Sequence, residues 1–260
     1  NNPDRVHQIA KILNGQGLDK GITLSVQSMD DDVLKTIKRK NLRYDTLSEF
    51  VRKYQEDGIR TYTEVIIALP GETYESFRDG LEHLLHASVH ETLYIYRCAV
   101  LPNAEMNEPG YRKIHGIKSV RTPITVVHTE PGGDQIPEYE ETVYETATLS
   151  LEDYRRCNLL AWIVQFLHSL NLTQLVAIYA EMFKGLKFTT FYEEILGFAE
   201  RHPQTVLGKE LRFTREKIDS VLNGTGVWVD VVPEFSTLTW PLEEASYLRA
   251  NLDLDRFYQE

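Results

Sequence analysis

Thr61-Tyr62-Thr63-Glu64-Val65-Ile66-Ile67-Ala68-Leu69-Pro70-Gly71-Glu72-Thr73 is the stretch on which the fold turns. β-Branched and apolar residues dominate its first half, which predicts a strand over Arg60–Ala68. Pro70-Gly71 then predicts a turn, and Thr73 is a good N-cap for a helix over Tyr74–His86. The same strand-to-helix grammar recurs on both sides. Ile22–Gln27 alternates, with Ile22, Leu24 and Val26 on one face and Thr23, Ser25 and Gln27 on the other, so it predicts a strand with one polar face. Asp30 caps a helix running to about Arg39, and Asp45–Glu56 is a second helix closed by Gly58. Upstream, Asn2-Pro3 signals the start of a helix over Asp4–Leu13, which Gly15-Gln16-Gly17 ends. Downstream, Thr92–Cys98 is a third strand. Strand spacings of about 30 to 40 residues imply parallel strands joined by right-handed crossovers, an α/β fold.

The pattern then changes. Leu101–Pro137 is rich in Pro, Gly and charge and reads as an irregular excursion with one strand at Ile124–His128. Tyr139–Leu149 adds another strand. From Leu151 the period is helical: Leu151–Leu170, Thr173–Gly185 and Thr189–Arg201, with Pro203 following the third. Gly226–Val232 is a short strand and Pro241–Asn251 a last helix. The expected organisation is residues 1–105 as β/α units, 106–150 as an irregular linker with short strands, and 151–260 as a mainly helical region. Three β/α units cannot close a barrel by themselves and call for partner strands upstream. With an opening Asn1-Asn2-Pro3-Asp4 that lacks methionine, the chain is read as a piece starting inside a larger protein.

Composition removes several functions. The net charge is −11, from 39 acidic and 28 basic residues, and no basic stripe is present, so no nucleic-acid partner is expected. Two cysteines, Cys98 and Cys157, lie far apart without CxxC neighbours. They predict small buried apolar residues and a reducing, cytoplasmic setting, not a disulfide framework. The most apolar stretch, Leu159–Phe183, is broken by Gln165, His168, Asn171, Thr173 and Gln174, so no transmembrane segment is expected, and no signal peptide is visible. His83, His86 and His90 form the tightest group of the eight histidines, but their spacing gives no metal site, and none is assigned.

Four segments carry a family likeness. Leu24-Ser-Val-Gln-Ser-Met-Asp30, with Val33-Leu34 and Ile37-Lys38-Arg39, resembles the fourth β/α unit of radical S-adenosylmethionine (SAM) enzymes. Thr63-Glu-Val-Ile-Ile-Ala-Leu-Pro-Gly-Glu-Thr73 resembles their fifth strand and its "GLPGET" turn. Leu101-Pro-Asn-Ala-Glu-Met106 resembles the "PGTE"-like segment after the sixth. Glu141–His168 resembles the C-terminal extension of members with an N-terminal cobalamin-binding domain, some of them called anaerobic magnesium-protoporphyrin IX monomethyl ester cyclase-like, others methyltransferases. The resemblance implies the C-terminal half of a partial (β/α)6 barrel followed by a mainly helical extension. It implies SAM, a [4Fe–4S] cluster on a CxxxCxxC loop and, in this subgroup, cobalamin. Reduction of the cluster would cleave SAM to a 5′-deoxyadenosyl radical, for methyl transfer or ring closure on a small organic substrate. The partners implied are the N-terminal portion of the same protein and an electron donor such as flavodoxin or ferredoxin. The chain departs from the pattern in having no CxxxCxxC, so the piece alone is expected to hold no cluster and to be inactive. The alternative from another class is a non-catalytic α/β interaction module.

SAM presents a carboxylate, an ammonium, a ribose diol and an adenine edge, and barrel enzymes meet such groups at the C-terminal ends of strands. Gln27 and Ser25 share the polar face of the first strand, and Gln27 both donates and accepts. Arg39 matches an arginine that contacts the SAM carboxylate or ribose in relatives; a guanidinium suits a carboxylate. The plainer reading makes it one base of the solvated run Lys38-Arg39-Lys40. Glu64 stands in an otherwise apolar strand, where an acid needs a partner. The resemblance makes it an acceptor for a SAM hydroxyl, and pairing with Arg39 is the structural alternative. Ala68 and Leu69 offer backbone groups to adenine, Ala68 standing where relatives often have glycine. Tyr94 and Tyr96 are candidates to line the substrate cavity or, more plainly, to pack. The expectation is that Gln27, Arg39 and Glu64 converge in one pocket.

Overall fold

The computed structural model describes residues 3–18, 21–40, 44–87, 89–90, 92–132, 136 and 138–260. The helix-start signal at Asn2 lies outside them, and so does Pro137. The elements are α1 (Pro3–Gly15), β1 (Ile22–Gln27), α2 (Asp31–Thr36), α3 (Tyr44–Glu56), β2 (Thr61–Ile67), α4 (Tyr74–His86), β3 (Thr92–Arg97), β4 (Ala99–Val100), α5 (Pro109–Ile114), β5 (Lys118–Pro123) and β6 (Tyr139–Glu145). They continue with α6 (Leu151–Ile163), α7 (Gln174–Lys184), α8 (Phe188–Arg201), α9 (Val206–Leu222), β7 (Val229–Val231), β8 (Thr239–Pro241), α10 (Leu242–Asn251) and α11 (Leu254–Gln259).

β1, β2 and β3 form a parallel sheet in that order. Its two faces are set by the two-residue period of β2. Thr61, Thr63, Val65 and Ile67 are buried, whereas Tyr62, Glu64 and Ile66 are only half-buried. The buried face packs with α4 and α6. In α4, Tyr74, Phe77, Gly80, Leu81, Leu84 and Leu85 are buried, a spacing that sums to one apolar stripe. Thr73 and Ser76 close a reciprocal capping box at its start, which satisfies two amides the helix would otherwise orphan.

At Cys98 the chain passes from one sheet to another. The Cys98 amide donates to Ile67 O at 3.0 Å, and its carbonyl accepts from Val143 N at 2.8 Å. Beyond it β4, β6 and β5 form an antiparallel sheet. The strand expected at Ile124–His128 falls instead at Lys118–Pro123. Its K-S-V-R-T-P sequence has no apolar alternation, because hydrogen bonding to β6 and not burial fixes it. Strand Tyr139–Glu145 stops earlier than expected.

The helical region is built around α6. Tyr154, Cys157, Asn158 and every residue from Leu159 to Ile163 are buried, so the second half of the helix is enclosed on all sides while Glu152 and Arg156 of the first half are exposed. The predicted single helix Leu151–Leu170 is α6 followed by a π-helical segment, Val164–Ser169. Helix α9 was not predicted, although Leu207, Leu211, Thr214, Ile218 and Val221 mark its buried face. Arg97 ties the two regions together: its Nε donates to Asn158 Oδ1 at 2.9 Å, and its guanidinium lies 3.6 Å over the Trp228 ring. No single helix among the described residues is long and apolar enough to cross a membrane.

Candidate functional site at the strand ends

The open face of the parallel sheet carries the polar cluster. Register places Ser25 opposite Glu64 and Glu64 opposite Tyr94, so their side chains share one face. Ser25 Oγ donates to Glu64 Oε2, which answers the need of an acid in an apolar strand for a partner.

Arg39 reaches the backbone of β1 because α2 ends abruptly. Lys38 is left-handed at φ 57°, and Arg39 N donates back to Leu34 O at 2.8 Å. That six-to-one bond is the signature of a helix stop that reverses the chain. Arg39 Nη2 then donates to Ser25 O at 2.9 Å. The same turn is braced by Lys38 Nζ, which lies 2.7 Å from Glu105 Oε2. Glu105 belongs to the Leu101–Met106 segment, so that segment meets the Leu24–Arg39 segment at this turn.

Gln27 does not stay on the face of Ser25. The register shifts between Ser25 and Gln27, so Gln27 pairs with Val65, a residue of the buried face. Gln27 is left-handed at φ 60°. It lines a cavity of about 10 Å³ with Ser28, Met29, Val65, Glu72 and Phe77. The structure therefore joins Ser25, Arg39 and Glu64 and puts Gln27 on the α4 side of the same strand end, a correction to the expected shared face. A β-bulge has this effect: one extra residue inverts which side a side chain takes.

Ala68 and Leu69 are buried, so only their backbone is available. Ala68 is left-handed at φ 68°, a conformation natural to glycine and costly for other residues. Leu69 O accepts from Glu72 N at 3.0 Å.

The tyrosines form a ladder across the open face. Ring centroids are 6.1 Å apart for Tyr62 with Tyr94 and 6.1 Å for Tyr94 with Tyr96. Tyr94 is 40% and Tyr96 49% exposed, so neither is plain core packing. Desolvation raises both phenol pKa values, helped by the charge of Glu64 nearby.

Two groups escaped the sequence reading. Tyr62 was legible, because it shares the parity of Glu64. Glu72 was passed over as part of a turn. It is 2% exposed, and burial pushes its carboxyl up to about 8, against the pull of Ser28 and the amides of Leu69 and Ala68. Its Oε1 accepts from Ser28 Oγ at 3.2 Å, while Oε2 has no partner of hydrogen-bonding geometry.

Cys98 and Cys157 are both buried. Burial pushes the Cys98 thiol up to about 12 and raises that of Cys157 well above the usual range. Neither is placed to act as a thiolate ligand. Among the described residues, no three His, Cys, Asp or Glu side chains group as metal ligands.

No protein-family model matches the chain. Along its full length it is 34% identical, over 273 residues, to the cobalamin-dependent radical SAM methyltransferase TokK of Streptomyces tokunonensis. It is 32% identical over 273 residues to the 2-(S-pantetheinyl)-carbapenam-3-carboxylate methyltransferase of Streptantibioticus cattleyicolor. In each case the chain spans 40% of the relative's length. Its relatives are thus methyltransferases, one of them named for both SAM radical chemistry and cobalamin.

Proposed function

We propose that the whole protein is a cobalamin-dependent radical SAM methyltransferase, and that this chain supplies the SAM-facing half of a partial (β/α)6 barrel together with its C-terminal extension. The observation that carries this reading is the Ser25–Glu64 pair on the open face of a parallel sheet, with Arg39 bonded to the Ser25 carbonyl. Full-length alignment with two methyltransferases supports it, and favours methyl transfer over the ring closure of cyclase-like proteins. Residues 1–105 form the barrel part, 106–150 the connection and 151–260 the extension.

Arg39 supplies positive charge for the SAM carboxylate. Its Nη2 is held by Ser25 O, and a guanidinium has further N–H donors to offer. Glu64 accepts from ribose hydroxyls, with Ser25 fixing one carboxylate oxygen. Gln27 meets the ligand at the end of β1, and the Ala68–Leu69 backbone lies along the adenine edge. Tyr94 and Tyr96 line the substrate side. The substrate class is a small acidic organic molecule of the carbapenam carboxylate kind for which one relative is named. Cobalamin, when bound, supplies the methyl chemistry. Two buried cysteines do not fit a three-cysteine cluster, so no step of this chain's chemistry runs through one; the cluster and cobalamin belong to the remainder of the polypeptide. A reductant of the flavodoxin or ferredoxin type and a cytoplasmic setting complete the reading. A non-catalytic interaction module would draw on the exposed apolar face of α7, where Leu175, Tyr179, Met182 and Phe183 are exposed. It leaves the polar strand-end cluster without a purpose.

The test is Arg39→Ala in the full-length, cofactor-loaded protein, with SAM binding followed by calorimetry. Losing a charge-assisted contact costs about 1.5–3 kcal/mol, a roughly 10- to 150-fold loss of affinity. Unchanged affinity removes Arg39 from the site.

A further inference from the structure

Helix α7 presents a row of large apolar side chains to water. Leu175, Val176, Tyr179, Met182 and Phe183 are each more than half exposed, and their spacing puts all five on one face. The opposite face rests on α8, with Ala177 buried. The Tyr179 and Phe183 rings lie 4.9 Å apart. Together the five leave on the order of 600 Å² of apolar surface in water, the upper end of what a monomer shows, and patches of that size mark an interface. No charge interrupts the row. Glu181 turns aside to His86, at 3.2 Å, and Lys184 closes the last turn. The row is also symmetric about Tyr179. Leu175 and Phe183 stand four residues to either side of it, Val176 and Met182 three.

We propose that α7 is the contact between two copies of the chain, packed antiparallel about a two-fold axis that passes Tyr179. In that arrangement Leu175 meets the copy's Phe183, Val176 meets the copy's Met182, and Tyr179 meets itself, so one stripe complements the other. The two faces bury roughly 1,200 Å² in all before any rim, which is where specific interfaces begin. Charge favours the antiparallel sense. It holds the two Lys184 side chains roughly 15 Å apart along the axis, whereas a parallel pair sets them side by side. Position favours a second copy over further chain that must reach the candidate site. Gln174 Nε2 donates to His90 O at 2.8 Å, just ahead of β3, and the His86 that meets Glu181 ends α4. Helix α7 therefore lies where the parallel strands begin, at the end of the sheet opposite the exits at Gln27 and Ala68. A lipid surface is the poorer fit, because helices that lie on membranes carry a basic polar face. Lys184 is the single base of α7, in a chain of net charge −11. The inference is independent of the SAM reading.

The experiment uses the full-length, cofactor-loaded protein in analytical ultracentrifugation across about 0.1–50 µM, which brackets micromolar association. Wild type dimerises within that range, as a small interface does. Leu175→Glu and Phe183→Lys each weaken the dimer about 100-fold, because a two-fold interface meets every substitution twice. The double variant Leu175→Glu/Phe183→Lys returns to within about tenfold of wild type, since the new acid of one copy meets the new base of the other. Within one helix the two positions are roughly 12 Å apart and do not pair. Tyr179→Cys, oxidised, crosslinks into a covalent dimer across the axis, with Cys98 and Cys157 buried out of reach. All three positions are exposed, so folding is not at stake. A wild type that stays monomeric overturns the proposal. So do single variants that dimerise as wild type does, a double variant no tighter than either single, and a dimer that Tyr179→Cys fails to crosslink. Binding of the wild type, and not of Leu175→Glu, to vesicles of phosphatidylcholine and phosphatidylglycerol overturns it in favour of a lipid surface.

Discussion

The open face of the parallel sheet and the core around α6 are two ways of using aromatic and polar residues, and they contrast at every position. On the open face Tyr62, Tyr94 and Tyr96 stack in a ladder that leaves Tyr96 49% exposed. Its polar atoms face outward from strands that other residues hold in place. In the helical core Tyr154, Leu160, Phe166, His168 and Tyr192 are fully buried. There His168 pairs inward on both ring nitrogens: His90 Nδ1 lies 3.0 Å from His168 Nε2, and His168 Nδ1 lies 2.8 Å from Tyr192 OH. The contrast separates the residues that hold the molecule up from those that are displayed. Buried apolar area contributes stability; a half-exposed ladder contributes little and stays free to meet a ligand.

The largest effect follows directly. Phe166→Ala removes a fully buried ring that packs against Trp162 and Phe257 and is expected to cost about 3–5 kcal/mol. Tyr96→Ala is expected to stay within about 1 kcal/mol of wild type. Chemical denaturation of both variants measures the gap. Equal losses would abolish the distinction between a supporting core and a displayed face.

The second effect is pH-dependent and sharpens the same contrast. Burial and the neighbouring His90 lower the His168 pKa to about 3 from its ordinary 6.5. The native state then binds fewer protons than the unfolded state between these values. Stability is therefore complete above about pH 6.5 and falls as pH drops toward 3, by about 1.4 kcal/mol per pH unit and by about 5 kcal/mol in all. His168→Gln, which cannot titrate, should flatten the slope across that window in denaturation curves taken at successive pH values. A slope unchanged by the substitution would assign acid sensitivity to other groups.

Legibility in the sequence divides along the same line. The sheet was readable because strand, turn and cap follow one another from Thr61 to Thr73, and the open face because Glu64 interrupts an apolar period. Arg39 and Glu64 stood out as charges in marked positions. What escaped is local geometry with no compositional trace. The alternation of Ile22–Gln27 runs unbroken through the bulge that turns Gln27 to the α4 side. Nothing in Lys38 announces a left-handed backbone, since glycine is the usual signal; at Ala68 the one hint is the glycine that relatives often carry there. Glu72 looked like part of a turn because its burial comes from Thr148 and Ser28, distant in sequence. Helix α9 is a different case. Its apolar stripe and the Thr205 cap were present in the sequence, and its many charges hid them.

The smallest effect tests those strand ends. Ala68→Gly relieves a left-handed strain of about 1–2 kcal/mol. It also frees the unfolded chain by about 0.5–1 kcal/mol and removes a buried methyl whose burial contributes about 0.8 kcal/mol. The terms nearly cancel, so thermal unfolding should shift by less than about 1 kcal/mol equivalent. Ala68→Val keeps φ positive and adds a β-branched side chain where such residues are outliers, in a site with no spare room, and should lose about 2 kcal/mol or more. Together the two variants read the backbone at Ala68 directly. Near-neutrality of glycine beside a clear loss for valine means that the strand exit keeps its left-handed shape for reasons outside Ala68 itself. A tolerated valine would mean that the exit relaxes freely, and that the strand ends are no more fixed than the open face they border.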